Sequence, residues 1–296
     1  GGTVVVQPST TADRGITWVG EQNGNTGNLN LSGTADFSTA RLTLGANTGA
    51  TGNSNLNGGT LRIGQLTGGA GNANVTFNGT QIVASAASGA FIDNLDTASI
   101  SAGGLKIDSS GFNLTAAQVL TGSGGLVKSG SGTLNLTAAN TYAGTTSVNG
   151  GKLGITTSSL ANAAITLADY TSLGVTQTTA DQAHSASAVT FGVSDSSTLD
   201  IDLGAFAGNS ANAPLNVTGT GALTLNGVVT VNVTDNLPVV GTIPLVSYAG
   251  AKSGTGSFAL GTIPDGVAAT ISDDGGGLAP LNPPGVNAAC TTGAEE

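Results

Sequence analysis

A chain of 296 residues with 48 Gly, 39% hydrophobic and only 8% charged residues has room for one or two domains. Charge this far below the roughly 25% of an ordinary domain, joined to that hydrophobic share, excludes a solvated disordered chain. A net charge of −10 with seven Lys and Arg excludes nucleic acid as a partner and disfavours an anionic membrane surface.

Aromatic residues make up 4% of the chain, so its apolar content is aliphatic, as a narrow core of stacked Val, Leu and Ile requires. No apolar run approaches the ~18 residues of a membrane span, and no membrane insertion is expected. The chain starts at Gly1 and has no Met. We read it as a mature secreted protein whose signal peptide has been removed. Its one Cys, Cys290, excludes an intramolecular disulfide and a multi-Cys zinc site.

At the N-terminus, Val4-Val5-Val6 reads as a short strand able to pair with a neighbouring molecule, and Trp18 as a residue capping the first rung, with a binding surface as the alternative. Residues 1–26 are expected to form an N-terminal strand and cap. From Gly27 a signature recurs: Gly, any residue, Leu, any residue, then Leu or Ile. It stands at Gly27–Leu31, Gly59–Ile63, Gly103–Ile107, Gly132–Leu136, Gly151–Ile155 and Gly221–Leu225, and in altered form at Ser197–Ile201. Alternation is the strand period, so each run buries one face. The spacings are irregular, several near one or two times a unit of 19 to 24 residues. That suits coils with variable corners better than a fixed-period propeller. Asn74–Phe77, Ala164–Leu167 and Ala188–Phe191 read as strands of another face. Strands of three to five residues between glycine corners coil into a solenoid or a barrel. Helix signals are nearly absent, with one helical turn allowed at Thr115–Leu120.

The densest stretch is Gly124–Ile155. Gly125-Leu126-Val127-Lys128, Gly132-Thr133-Leu134-Asn135-Leu136, Asn140-Thr141-Tyr142-Ala143-Gly144-Thr145-Thr146 and Val148-Asn149-Gly150-Gly151-Lys152-Leu153 follow one another in it. This run resembles the autotransporter-associated β-strand repeat, found in passenger domains of bacterial autotransporters and in related secreted bacterial proteins. The resemblance implies a right-handed parallel β-helix outside the cell and brings no catalytic residue. We expect Lys128 and Lys152 to stack outward along the coil.

The expected fold is therefore all-β: a right-handed parallel β-helix (β-solenoid) over 27–235, last coils or capping strands over 236–274, and an extended Gly/Pro-rich tail over 275–296. The tail should leave the solenoid, since Pro280 and Pro283-Pro284 lack the donors a ladder needs.

Candidate chemistry is sparse. Asp200 and Asp202 flank Ile201 and could serve acid–base work or bind Ca²⁺ in a lyase or hydrolase. The plainer reading is a solvated strand face, with no cation or His close by in sequence. Asp273-Asp274-Gly275-Gly276 reads as a turn before a Ca²⁺ site. Gly68–Ala73 approaches a glycine-rich Ca²⁺ repeat but has Ala73 where Asp is needed. His184, the one His, sits in a polar stretch over 179–187 and reads as a loop residue. Cys290 is a free tail thiol or a link to another chain. The Asn-x-Thr/Ser triplets follow from strand alternation and say little about glycosylation. No catalytic, cofactor-binding or metal-ligating residue is assigned; Val4, Val5, Val6, Trp18 and Cys290 are the assembly candidates.

The expected function is a non-enzymatic extracellular structural protein, a self-assembling surface or matrix fibre subunit whose partners are copies of itself stacked head-to-tail. The alternative is an adhesin passenger domain binding host surfaces or cell-surface polysaccharide. A β-helix polysaccharide lyase or hydrolase fits the charged inventory least.

Overall fold

The computed structural model describes residues 15–160, 163–206, 210–234, 241–264, 267–273 and 285–292. It is all-β, with no helix among the described residues and parallel strands stacked as a β-solenoid of about 8 turns. The chain divides into two units, Gly1–Thr146 and Ser147–Glu296.

In the first unit, strand Ile16–Val19 pairs in parallel with the end of strand Thr26–Leu44, which pairs along its length with Thr51–Gly68. Each coil thus lays its strands on those of the coil before, rather than closing into a barrel. Register puts like on like. Leu31, Leu56, Phe77 and Ile100 form one inward column. Leu42, Leu66, Ile92, Ala116 and Leu136 form a second. Leu61, Ile82, Ile107 and Lys128 form a third. All of these side chains are buried. Burying one such aliphatic side chain stabilises by about 1.5–3 kcal/mol, so three columns in register make the coil and its core one structure.

The outward residues are in register too. Asn53 donates from Nδ2 to Asn28 Oδ1 at 3.1 Å, and Asn74 does the same to Asn53 at 3.1 Å. Thr97 Oγ1 closes that run on Asn74 Oδ1 at 2.8 Å. Asn55 reaches Asn30 at 2.7 Å and Asn78 reaches Asn57 at 3.0 Å. The Asn enrichment is thus an amide ladder on the surface, each donor meeting the acceptor one coil away.

In the second unit, Leu153, Leu173, Leu199 and Val231 stack in one column, and Ile155, Val175, Ile201 and Val233 in its neighbour. Strands His184–Ala186, Leu215–Val217 and Gly241–Tyr248 form a separate parallel ladder. Strand Gly285–Thr292 then pairs antiparallel with both Gly241–Tyr248 and Val267–Asp273.

Four expectations change. Strands Thr26–Leu44 and Thr51–Gly68 run to 19 and 18 residues, far beyond the three to five expected. They turn corners within the ladder, with a register shift between Gly33 and Asp36, because Gly33 in the first takes φ of 62° and Gly58 and Gly59 in the second take 134° and 73°, conformations open to glycine. The ladder already starts at Ile16 rather than Gly27. Leu114–Ala116 is a strand, with no helical turn after it. The C-terminal stretch does not run off wholly as an extended tail: past the prolines, Gly285–Thr292 is the central strand of an antiparallel trio.

Candidate functional site

Polar groups gather in two places in the first unit, one inside the coil and one on its surface. The inner one centres on Lys128. On strand Leu126–Ser129 the side chains alternate in and out, and Lys128 shares the inward side with Leu126. Its side chain is fully buried. This corrects the expectation that Lys128 stacks outward. Its Nζ donates to Ser109 Oγ at 2.9 Å, to the Ser129 carbonyl at 3.0 Å and to the Gly130 carbonyl at 2.7 Å. Burial pulls the ammonium down to about 8, with the Asp108 carboxylate pulling it back up.

A serine hydroxyl beside a lysine brought toward neutrality is the chemistry of a nucleophile and its base. Here, however, Ser109 and Lys128 are both 0% exposed, and Ser109 Oγ donates on to the Ser129 carbonyl at 3.1 Å. No substrate atom can reach the pair. The lysine holds two corners together: the one at Ser109 and the one at Ser129–Gly130.

The same logic governs its neighbours. Tyr142 is buried, with its hydroxyl 2.7 Å from Thr146 Oγ1. Burial pushes its phenol up to about 12, the Thr146 hydrogen bond opposing. Asn140, also buried, accepts the Leu120 N–H at 2.8 Å and donates to the Ala138 carbonyl at 2.9 Å. Lys128 and Asn140 thus bond backbone at the corners, while Tyr142 pairs with the Thr146 side chain.

The outer place is a cleft of about 440 Å³, lined by Trp18, Glu21, Arg41, Thr43, Asn47 and Gln65 among others. Register builds it: Trp18 lies on Thr43, and Arg41 on Gln65. Trp18 is half-buried on the outer side of its strand, while Thr17 and Val19 are buried. It forms the wall of a cleft as well as standing on the first rung. Arg41 Nε and Thr43 Oγ1 are buried with no hydrogen-bond partner among the described residues.

Residues 126–155 match the family model of the passenger-associated-transport-repeat. The match covers about a tenth of the chain, from the end of the first unit into the second. With the solenoid, it makes the chain consistent with an autotransporter passenger repeat protein, as the sequence resemblance implied. No curated protein and no solved structure matches the chain. Lys128, Asn140, Tyr142 and Thr146 all lie inside the repeat, and these buried polar side chains bond within the coil.

The remaining candidates fall apart spatially. Asp200 and Asp202 do point outward while Leu199, Ile201 and Leu203 are buried. Stacking supplies the cation that the local sequence lacks: Lys152 Nζ sits 2.7 Å from Asp200 Oδ2, and Asn232 Nδ2 donates to Oδ1 at 2.7 Å. Asp202 instead accepts the Gly204 N–H at 3.0 Å. The two carboxylates therefore serve different partners. Lys152, unlike Lys128, is outward as expected.

His184 is no loop residue. It opens strand His184–Ala186, is 0% exposed and has both ring nitrogens unpartnered among the described residues. Burial pulls it down to about 4. Cys290 lies in strand Gly285–Thr292, opposite Gly241 on one side and Ala269 on the other. Val4, Val5, Val6 and Asp274 to Gly276 lie outside the described residues. Among the described residues no three His, Cys, Asp or Glu side chains cluster as a metal site.

Asp169 was missed in the sequence. Its Oδ1 accepts the N–H groups of Val193, Ser194 and Asp195 at 2.7, 3.0 and 2.9 Å. Those backbone hydrogen bonds, Ser194 first, hold its carboxyl at about 2. It fastens a loop one coil away, and only spacing along the coil relates it to that loop.

Proposed function

We propose that the chain is a non-enzymatic scaffold on the outside of a bacterial cell, of the autotransporter-passenger type, whose copies associate through their sheet edges. The repeat and the solenoid fit a passenger-type surface protein, and passenger repeats of this kind are not known as enzymes. Self-association is our own step. The observation that carries it is a pair of edge strands. Among the described residues, Ile16–Val19 hydrogen-bonds to one neighbouring strand, and Val267–Asp273 likewise to one. An edge presents a row of backbone donors and acceptors that another strand can complete. Different edges on two copies make a head-to-tail contact, which extends into a filament unless the rotation closes a ring. Negative-stain electron microscopy of the purified chain at high concentration tests this: filaments or ordered oligomers are expected, and uniform single particles sink the proposal. A second reading, adhesion to polysaccharide, is favoured by the cleft beside Trp18.

A further inference from the structure

The Trp18 cleft has features that a scaffold alone does not require. Fully buried polar atoms in native proteins nearly always find a partner, so each one without a partner calls for an explanation. Two belong to residues that line one cleft, without a partner among the described residues: Arg41 Nε, a donor only, and Thr43 Oγ1, which can donate and accept. Thr43 is 8% exposed, beneath Trp18 in register. Around them stand a carboxylate acceptor, Glu21, and the amides of Asn47 and Gln65. Asn47 Nδ2 is engaged by the Glu21 carbonyl at 2.5 Å and Gln65 Nε2 by Asp93 Oδ1 at 3.3 Å, which fixes how both amides point. Trp18 adds a flat apolar face and one N–H donor.

We propose that this cleft binds one or two rings of a neutral polysaccharide. A sugar ring offers a C–H face for the indole and hydroxyls that both donate and accept, matching a site of mixed donors and acceptors. Its volume, about 440 Å³, lies within the usual range of small-ligand sites. Within the cleft Glu21 and Arg41 offset one another, so it is the net charge of −10 on the chain that disfavours an acidic sugar. The site acts on a single copy, so it stands or falls independently of self-association.

Trp18 is the one Trp of the chain, so indole emission reports on this cleft alone. The intact chain, kept dilute, is titrated with neutral gluco-, manno- and galacto-oligosaccharides and with oligogalacturonate. At least one neutral series is expected to shift the emission saturably, with oligogalacturonate silent. Thr43→Val keeps shape and removes the hydroxyl. It is expected to weaken binding about fivefold, the worth of one neutral hydrogen bond, while thermal stability holds or rises. Arg41→Lys removes the Nε donor and keeps the charge, and is expected to weaken binding about tenfold. No response to any neutral series, a response to the acidic sugar alone, or full affinity in Thr43→Val would overturn the proposal.

Discussion

His184 stands in a column with Leu215 and Val246, where a ring that gains no hydrogen bond is held neutral by burial. Its folded value of about 4 lies below the roughly 6.5 of an unfolded histidine. Between those two values the unfolded chain holds the extra proton, so stability rises with pH across the window and falls on acidification. The loss from pH 6.5 down to 4 amounts to about 3 kcal/mol. Thermal melts at half-unit steps across that range should show a falling Tm in the native chain. His184→Leu should melt higher at pH 7, since two unpartnered nitrogens are exchanged for a methyl-bearing chain, and its Tm should be nearly flat over the same range. An equal slope in both proteins would exclude His184 as the cause. Asp169 acts in a separate window: its depressed carboxyl adds stability that is present above about pH 4 and lost toward pH 2.

Strand Leu126–Ser129 illustrates what one element can and cannot disclose. Lys128 occupies the place in its column that Ile107 holds one coil earlier, and three hydrogen bonds from its ammonium tie two corners. Lys128→Ala should therefore cost about 2–4 kcal/mol, measured by urea unfolding, because it removes the ammonium from the Gly130 carbonyl and leaves a cavity. Lys128→Met, which fills the space, should cost less. Hydrogen exchange should quicken first at Ser109 and at Ser129–Gly130; equal protection in all three proteins would show that the lysine is dispensable. The alternation Leu126-Val127-Lys128 already put Lys128 on the inward side, but its charge suggested solvent, and the pattern was the better guide. The Leu-x-Leu signature was legible because parity alone sorts those side chains. The cleft at Trp18 was not legible because Arg41 and Gln65 join it only through coil register, and register depends on corner lengths that glycine spacing leaves open. Gly58 and Gly59 looked like strand ends because a glycine that turns the chain and a glycine that stops the ladder read alike. Strand Gly285–Thr292 was hidden by the prolines before it, although prolines outside a strand do not prevent one.

At the scale of the molecule the scarcity of charge becomes informative. Seventeen acidic side chains against seven basic ones give every copy the same sign, so copies repel at long range. What would join them, a row of backbone donors and acceptors at a sheet edge, acts at contact and is indifferent to salt. Screening shortens the repulsion from about 30 Å at 0.01 M to about 3 Å at 1 M ionic strength. On the second edge strand, Asp273 is engaged within its own copy: Lys252 Nζ lies 2.8 Å from Oδ2 and Tyr248 donates to Oδ1 at 2.5 Å. Association through edges should therefore strengthen as sodium chloride rises, the opposite of an assembly held by ion pairs between copies. Sedimentation velocity at fixed protein concentration, from 0.01 to 1 M salt, separates the cases. Growing species with rising salt support edge pairing, dissociation points to intermolecular ion pairs, and an unchanged monomer throughout would leave the scaffold reading without its self-assembly.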